Sequence, residues 1–125
     1  MKKFNILLAS LLLLALYLTA CGSSSIVGTW TVKEYIYEDE TISPDTAAEW
    51  FGESFAKNND TKLVFQNSGH VKAQFPMTGL DTTLDYTVTD NLIEVYEEGH
   101  SEYLTIEGDK ILIELQDNLY MVLKK

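Results

Sequence analysis

Arginine is absent from the 125 residues, and the nine basic side chains, all lysines, face nineteen acids. Without the planar guanidinium fork the chain lacks the side chain best suited to phosphate and base recognition, and a formal net charge of −10 repels a polyanion. Composition therefore argues against a nucleic-acid partner. Cysteine occurs once, at Cys21, so no intramolecular disulfide can form and the fold must stand on its core. Proline occurs only at Pro44 and Pro76, and the long apolar run is confined to the stretch from Phe4 to Leu18.

That run begins after Met1-Lys2-Lys3 and ends in the small residues Thr19 and Ala20, the tripartite pattern of a secretory signal. Ile6 to Leu18 falls short of the roughly 20 apolar residues that a membrane-spanning helix requires. Residues 1–20 are thus expected to form a signal helix that is removed. Leu18-Thr19-Ala20-Cys21 resembles the lipobox of bacterial lipoproteins, in which the thiol is acylated and the chain is cleaved just before it. The resemblance implies a covalent diacylglycerol or palmitate-type lipid on Cys21, no dissociable cofactor, and attachment to the extracytoplasmic face of a bacterial membrane. Gly22-Ser23-Ser24-Ser25 completes a tether over residues 21–25 that reaches only about 13–14 Å. Loss of Lys2 and Lys3 with the leader would take the charge from −10 to −12. An anionic bilayer repels such a body within a Debye length of about 8–10 Å, so attachment rests on acyl chains.

From Ile26 onward the pattern is that of one domain, residues 26–125. Residues 26–37 are rich in β-branched and aromatic side chains, with Trp30, Val32 and Ile36 on one face and Thr31, Lys33, Tyr35 and Tyr37 on the other. Glu34 falls on the apolar face, which means either an inward carboxylate or, as the preferred reading, a bulge or a position at the rim. Glu38-Asp39-Glu40-Thr41 lacks the alternating ligands and glycine of a calcium loop and reads as a solvated loop. Ser43 then offers an N-cap, Pro44 the first helical position and Asp45 a first-turn acid. Ala47, Trp50, Phe51 and Phe55 recur at helical spacing, predicting a short amphipathic helix over residues 44–57 that Gly52 weakens. Seven further strands follow, over residues 61–66, 70–75, 82–88, 92–96, 101–106, 111–115 and 119–123. The turns between them carry Gly, Asn and Asp.

Eight short strands joined mostly by tight turns predict an all-β, antiparallel up-and-down barrel with one short helix between the first and second strands. Gly28-Thr29-Trp30 resembles the G-x-W signature on the first strand of lipocalins, and the whole organisation is similar to lipocalin-like (calycin) domains of bacterial lipoproteins. In lipocalins that tryptophan packs beneath an arginine from a late strand; here Lys124 or Lys125 would have to take its place. Alternate connections of such a meander lie at opposite ends. The helix and the turns near Met77, Gly99 and Asp117 thus belong to one end, away from Cys21, and those near Gly69, Asn91 and Gly108 to the other. His70 and His100 fall at opposite ends, which removes the shared metal site that their Gly-His pairs suggest.

No nucleophile beside a base, carboxylate pair or phosphate-binding glycine loop is legible, so a non-enzymatic protein is expected. Glu94, Glu97, Glu98, Glu102 and Glu114 read as a solvated barrel exterior. The leading expectation is a membrane-anchored cell-envelope module that holds a small apolar or amphipathic ligand, with Trp30, Trp50, Phe51 and Phe55 as candidate pocket residues and the helix as a lid. The alternative is a filled barrel that binds or inhibits an envelope protein. Replacing Cys21 with Ser should leave the precursor uncleaved and unlabelled by radioactive palmitate; persistent labelling would overturn the lipobox assignment.

Overall fold

The computed structural model describes residues 26–125; the signal segment, Cys21 and its tether lie outside the described residues. Among them, nine strands form one antiparallel sheet. These are β1 (Gly28–Tyr37), β2 (Glu40–Ile42), β3 (Lys62–Phe65), β4 (His70–Phe75), β5 (Leu80–Thr89), β6 (Leu92–Glu97), β7 (His100–Glu107), β8 (Lys110–Gln116) and β9 (Leu119–Lys124). Pairing runs β2-β1-β3-β4-β5-β6-β7-β8-β9, and β1 also pairs with β9, so eight strands close into a barrel. Each barrel strand finds both neighbours within residues 26–125, so the closed barrel draws all its strand pairings from this segment.

Closure depends on how β1 divides its two edges. On one side it pairs with β9, from Thr31 opposite Lys124 to Tyr37 opposite Leu119. On the other, Gly28 to Thr31 pair with the short β3, and Tyr35 to Tyr37 pair with β2. The segment expected to be a solvated loop is therefore a hairpin. Its two-residue turn places Glu38 at φ 50° and Asp39 at φ 69°, the left-handed conformation that matches strand twist. The Glu38 amide donates to the Asn118 carbonyl at 2.9 Å and ties this turn to the β8–β9 turn.

The expected bulge is present between Val32 and Glu34. One inserted residue reverses the side-chain parity beyond it. Trp30 and Val32 face the interior as read from the sequence, but beyond the bulge Tyr35 and Tyr37 turn inward in place of Ile36. Glu34 lies outside, 3.5 Å from Lys110 Nζ, a partly exposed pair of small energetic weight. Leu119, Met121 and Leu123 of β9 fill the core as expected.

The helix is shorter than its periodicity predicts. α1 spans Pro44–Phe51, with Ser43 Oγ accepting from the Thr46 amide at 3.1 Å. Gly52, at φ 106°, ends it, and the chain continues as a 3₁₀ turn, Phe55–Asp60. Because β3 covers only the lower part of β1, these two elements occupy the upper gap between β1 and β4.

At the opposite end Trp30 is buried, and its indole Nε1 donates to the Ile26 carbonyl at 2.8 Å. Lys125 lies over it: its Nζ stands 5.7 Å from the centre of the Trp30 ring and donates to the Val27 carbonyl at 3.1 Å. Gly28, at φ 139°, makes room for this lysine, since a Cβ there would stand 3.0 Å from Lys125 Cδ. Gly28→Ala should lower the unfolding free energy by about 1–2 kcal/mol, from backbone strain and the displaced lysine together. In a Lys125→Ala background the loss should shrink without vanishing. Equal denaturation midpoints for Gly28→Ala and the unaltered barrel would contradict this account.

Candidate functional site

The up-and-down topology puts α1, the 3₁₀ turn and the β4–β5, β6–β7 and β8–β9 turns at one end of the barrel. Beneath that end the interior is divided in two. On the β1 side an aromatic plug fills it. Phe55 packs on Tyr35 with ring centres 5.3 Å apart, Phe51 on Tyr37 at 5.2 Å, and Phe51 on Phe55 at 5.0 Å. The Tyr35 hydroxyl donates to Asn59 Oδ1 at 2.7 Å and thereby fastens the 3₁₀ turn to the barrel wall.

Towards β4–β7 the interior is open, forming a cavity of about 510 Å³. Strand register stacks its lining in rows. On the β4–β5 wall Phe75 stands opposite Leu80 at the mouth and Ala73 opposite Thr82 one pair down; on the β6–β7 wall Glu97 stands opposite His100 at the mouth and Val95 opposite Glu102 one pair down. Val71 opposite Leu84 continues the first wall downward and Leu104 the second, while Leu63 stands opposite Ala73. The wall from β4 and β5 is apolar except for Thr82. The wall from β6 and β7 turns polar towards the mouth, where Tyr96 and Glu98 complete the rim and His100 Nε2 lies 3.0 Å from Glu102 Oε2.

None of the four aromatic residues singled out from the sequence lines this cavity. Trp30 lies at the far end beneath Lys125, Phe51 and Phe55 belong to the plug, and Trp50 on α1 is 51% exposed with its ring edge-on to Tyr37 at 6.3 Å. The helix covers the β1 side of the end, not the cavity mouth. Cys21 lies outside the described residues.

Conversely, Glu97, Glu98 and Glu102, assigned to a solvated exterior, stand at the mouth. A signal for Glu102 exists, and it covers His100 as well. If Leu104 and Ile106 face inward, a period of two carries Glu102 and His100 to the same face. Charge made the exterior reading natural, because these positions lie at the wet end where inward side chains keep their water. Glu98, at φ 24° in the turn, reaches the mouth through backbone geometry that the sequence does not display.

His70 and His100 begin β4 and β7 at opposite ends, His70 Nδ1 lying 2.9 Å from Asp85 Oδ1. Among the described residues no group of three or more His, Cys, Asp or Glu is placed to hold a metal ion, and no helix is long and apolar enough to cross a membrane.

Two tyrosines are perturbed. Burial, reinforced by the neighbouring Asp60 carboxylate, holds the Tyr35 phenol well above the usual tyrosine range. Burial also raises Tyr86, whose hydroxyl donates to the Gln66 carbonyl at 2.8 Å. A raised phenol favours the folded state fully below the ordinary value of about 10, and that contribution is lost as pH climbs above it. The denaturant midpoint should therefore fall between about pH 10 and 12. Tyr35→Phe should flatten this fall while costing about 1 kcal/mol at neutral pH, through loss of the Asn59 bond. Parallel alkaline profiles for the two proteins would refute the assignment to Tyr35.

Comparison of the chain with protein-family models, with curated proteins and with solved structures found no match.

Proposed function

We propose that this chain is an exported lipoprotein, lipid-anchored through Cys21 to the extracytoplasmic face of a bacterial membrane, whose lipocalin-like barrel holds a small apolar or amphipathic molecule. The signal segment and Leu18-Thr19-Ala20-Cys21 support the anchor. Lipocalin likeness is supported by the closed eight-stranded barrel and by Gly28-Thr29-Trp30 with Lys125 over the tryptophan. The cavity is the observation that carries the binding role. At about 510 Å³ it falls within the roughly 300–1,000 Å³ typical of small-molecule sites. A mostly apolar interior of that size favours a ligand-holding barrel over a filled one.

Ile26 lies at the end opposite the mouth, so a tether from Cys21 would leave the mouth facing away from the membrane. The ligand then approaches from the aqueous side, and the aromatic plug serves as a fixed wall beside the opening. The barrel of residues 26–125 should bind the neutral fluorophore N-phenyl-1-naphthylamine saturably, one molecule per chain, with increased emission. Val95→Trp, and independently Thr82→Phe, should abolish the increase by filling the cavity while the far-ultraviolet dichroism stays that of a β-barrel. No saturable increase in the unaltered barrel, or an undiminished one in both folded variants, would overturn the reading.

A further inference from the structure

The two walls of the cavity differ in chemistry, and the difference has one sign. Phe75, Leu80 and Leu84 offer a surface for an apolar chain, whereas Glu97, Glu98 and Glu102 stand at or just below the mouth. Tyr96 and His100 are the remaining titratable lining groups, and His100 is engaged with Glu102 at 3.0 Å. Among the described residues no lysine lines the cavity. The chain around it carries a formal charge of −10.

We propose that the cavity selects an amphiphilic cation, a molecule whose alkyl or aryl part lies against the apolar wall and whose ammonium group rests among the three mouth glutamates. The inference rests on the binding role proposed above and deepens it by fixing the charge of the ligand. A carboxylate or sulfate head would meet like charges at the mouth and a repulsive field on approach. A neutral hydroxyl head would only exchange one hydrogen bond to a solvated carboxylate for another. An ammonium head gains attraction to all three and donates hydrogen bonds to acceptors that have no lysine competing for them. The carboxylates also remain solvated: the Glu102 side chain is 67% exposed, so no large desolvation cost opposes the pairing. The same exposure limits the gain, because solvent and salt screen exposed pairs.

The test is displacement of N-phenyl-1-naphthylamine from the barrel of residues 26–125 by dodecylamine, dodecanol and dodecanoate at low ionic strength, below their micellar concentrations. Dodecylamine should reach half-displacement at a concentration about ten-fold lower than dodecanol, with dodecanoate weakest, and added salt should narrow the gap. In Glu97→Gln/Glu102→Gln the amine-to-alcohol ratio should approach one. Glu98→Gln alone, in an exposed turn, should reduce the ratio by a smaller factor and guards against misfolding of the double variant. Equal displacement by all three compounds, a preference for dodecanoate, or a ratio unchanged in every folded glutamate variant would overturn the charge assignment while leaving cavity binding intact. Failure of the fluorophore to bind the unaltered barrel would instead overturn cavity binding, and this inference with it.

Discussion

Pairing of β1 with β9 is the constraint on which the remaining structure depends. An open sheet of eight strands would leave two edges of unpaired amides and carbonyls, and closing it removes both. β1 makes this possible by running the full height of the barrel. It meets β9 along one edge and shares the other between β3 below and β2 above. The shortness of β3 then decides where the helical segment goes, since the gap above it is what α1 and the 3₁₀ turn fill. The bulge between Val32 and Glu34 supplies the other half of the arrangement, because it turns Tyr35 and Tyr37 inward beneath those elements.

From this follows an interior divided between a filled side and an open one. On the β1 side large rings pack tilted and edge-on, and Tyr35 makes a half-buried hydrogen bond to Asn59 that fastens the plug. Across the barrel the corresponding upper positions are Ala73, Thr82, Val95 and Glu102, short side chains or ones that reach for water. They cannot fill the width spanned by rings on the other side. An unfilled apolar space costs stability in proportion to its volume. The small upper residues therefore give up packing, and in the proposed function an apolar ligand chain recovers it.

The acidic mouth follows from the same register. Glu97 and Glu102 are inward positions because Val95 and Leu104 are, and at this depth inward still means wet. A carboxylate deeper in the core would carry a desolvation cost of several kcal/mol. Placed in the top rows, it keeps its solvent and gives the opening its sign.

By itself the sequence determined the elements whose cause is local. Period-two alternation and Gly, Asn and Asp turns fixed the eight barrel strands, their antiparallel order and the parity that sets helix and termini at opposite ends. A residue out of phase, Glu34, even located the bulge. Tertiary structure decided what depends on neighbours distant in the chain. β2 was hidden because Glu40–Ile42 is only three residues long and its turn uses left-handed Glu38 and Asp39 without a glycine. The choice of Tyr35 over Ile36 for the core was hidden because which residue of a bulge is inserted is settled by pairing with β9. The cavity was hidden most deeply. Its volume is the difference between the width that eight closed strands impose and the side chains that five of them and one turn send inward, a quantity that no stretch of this sequence carries alone.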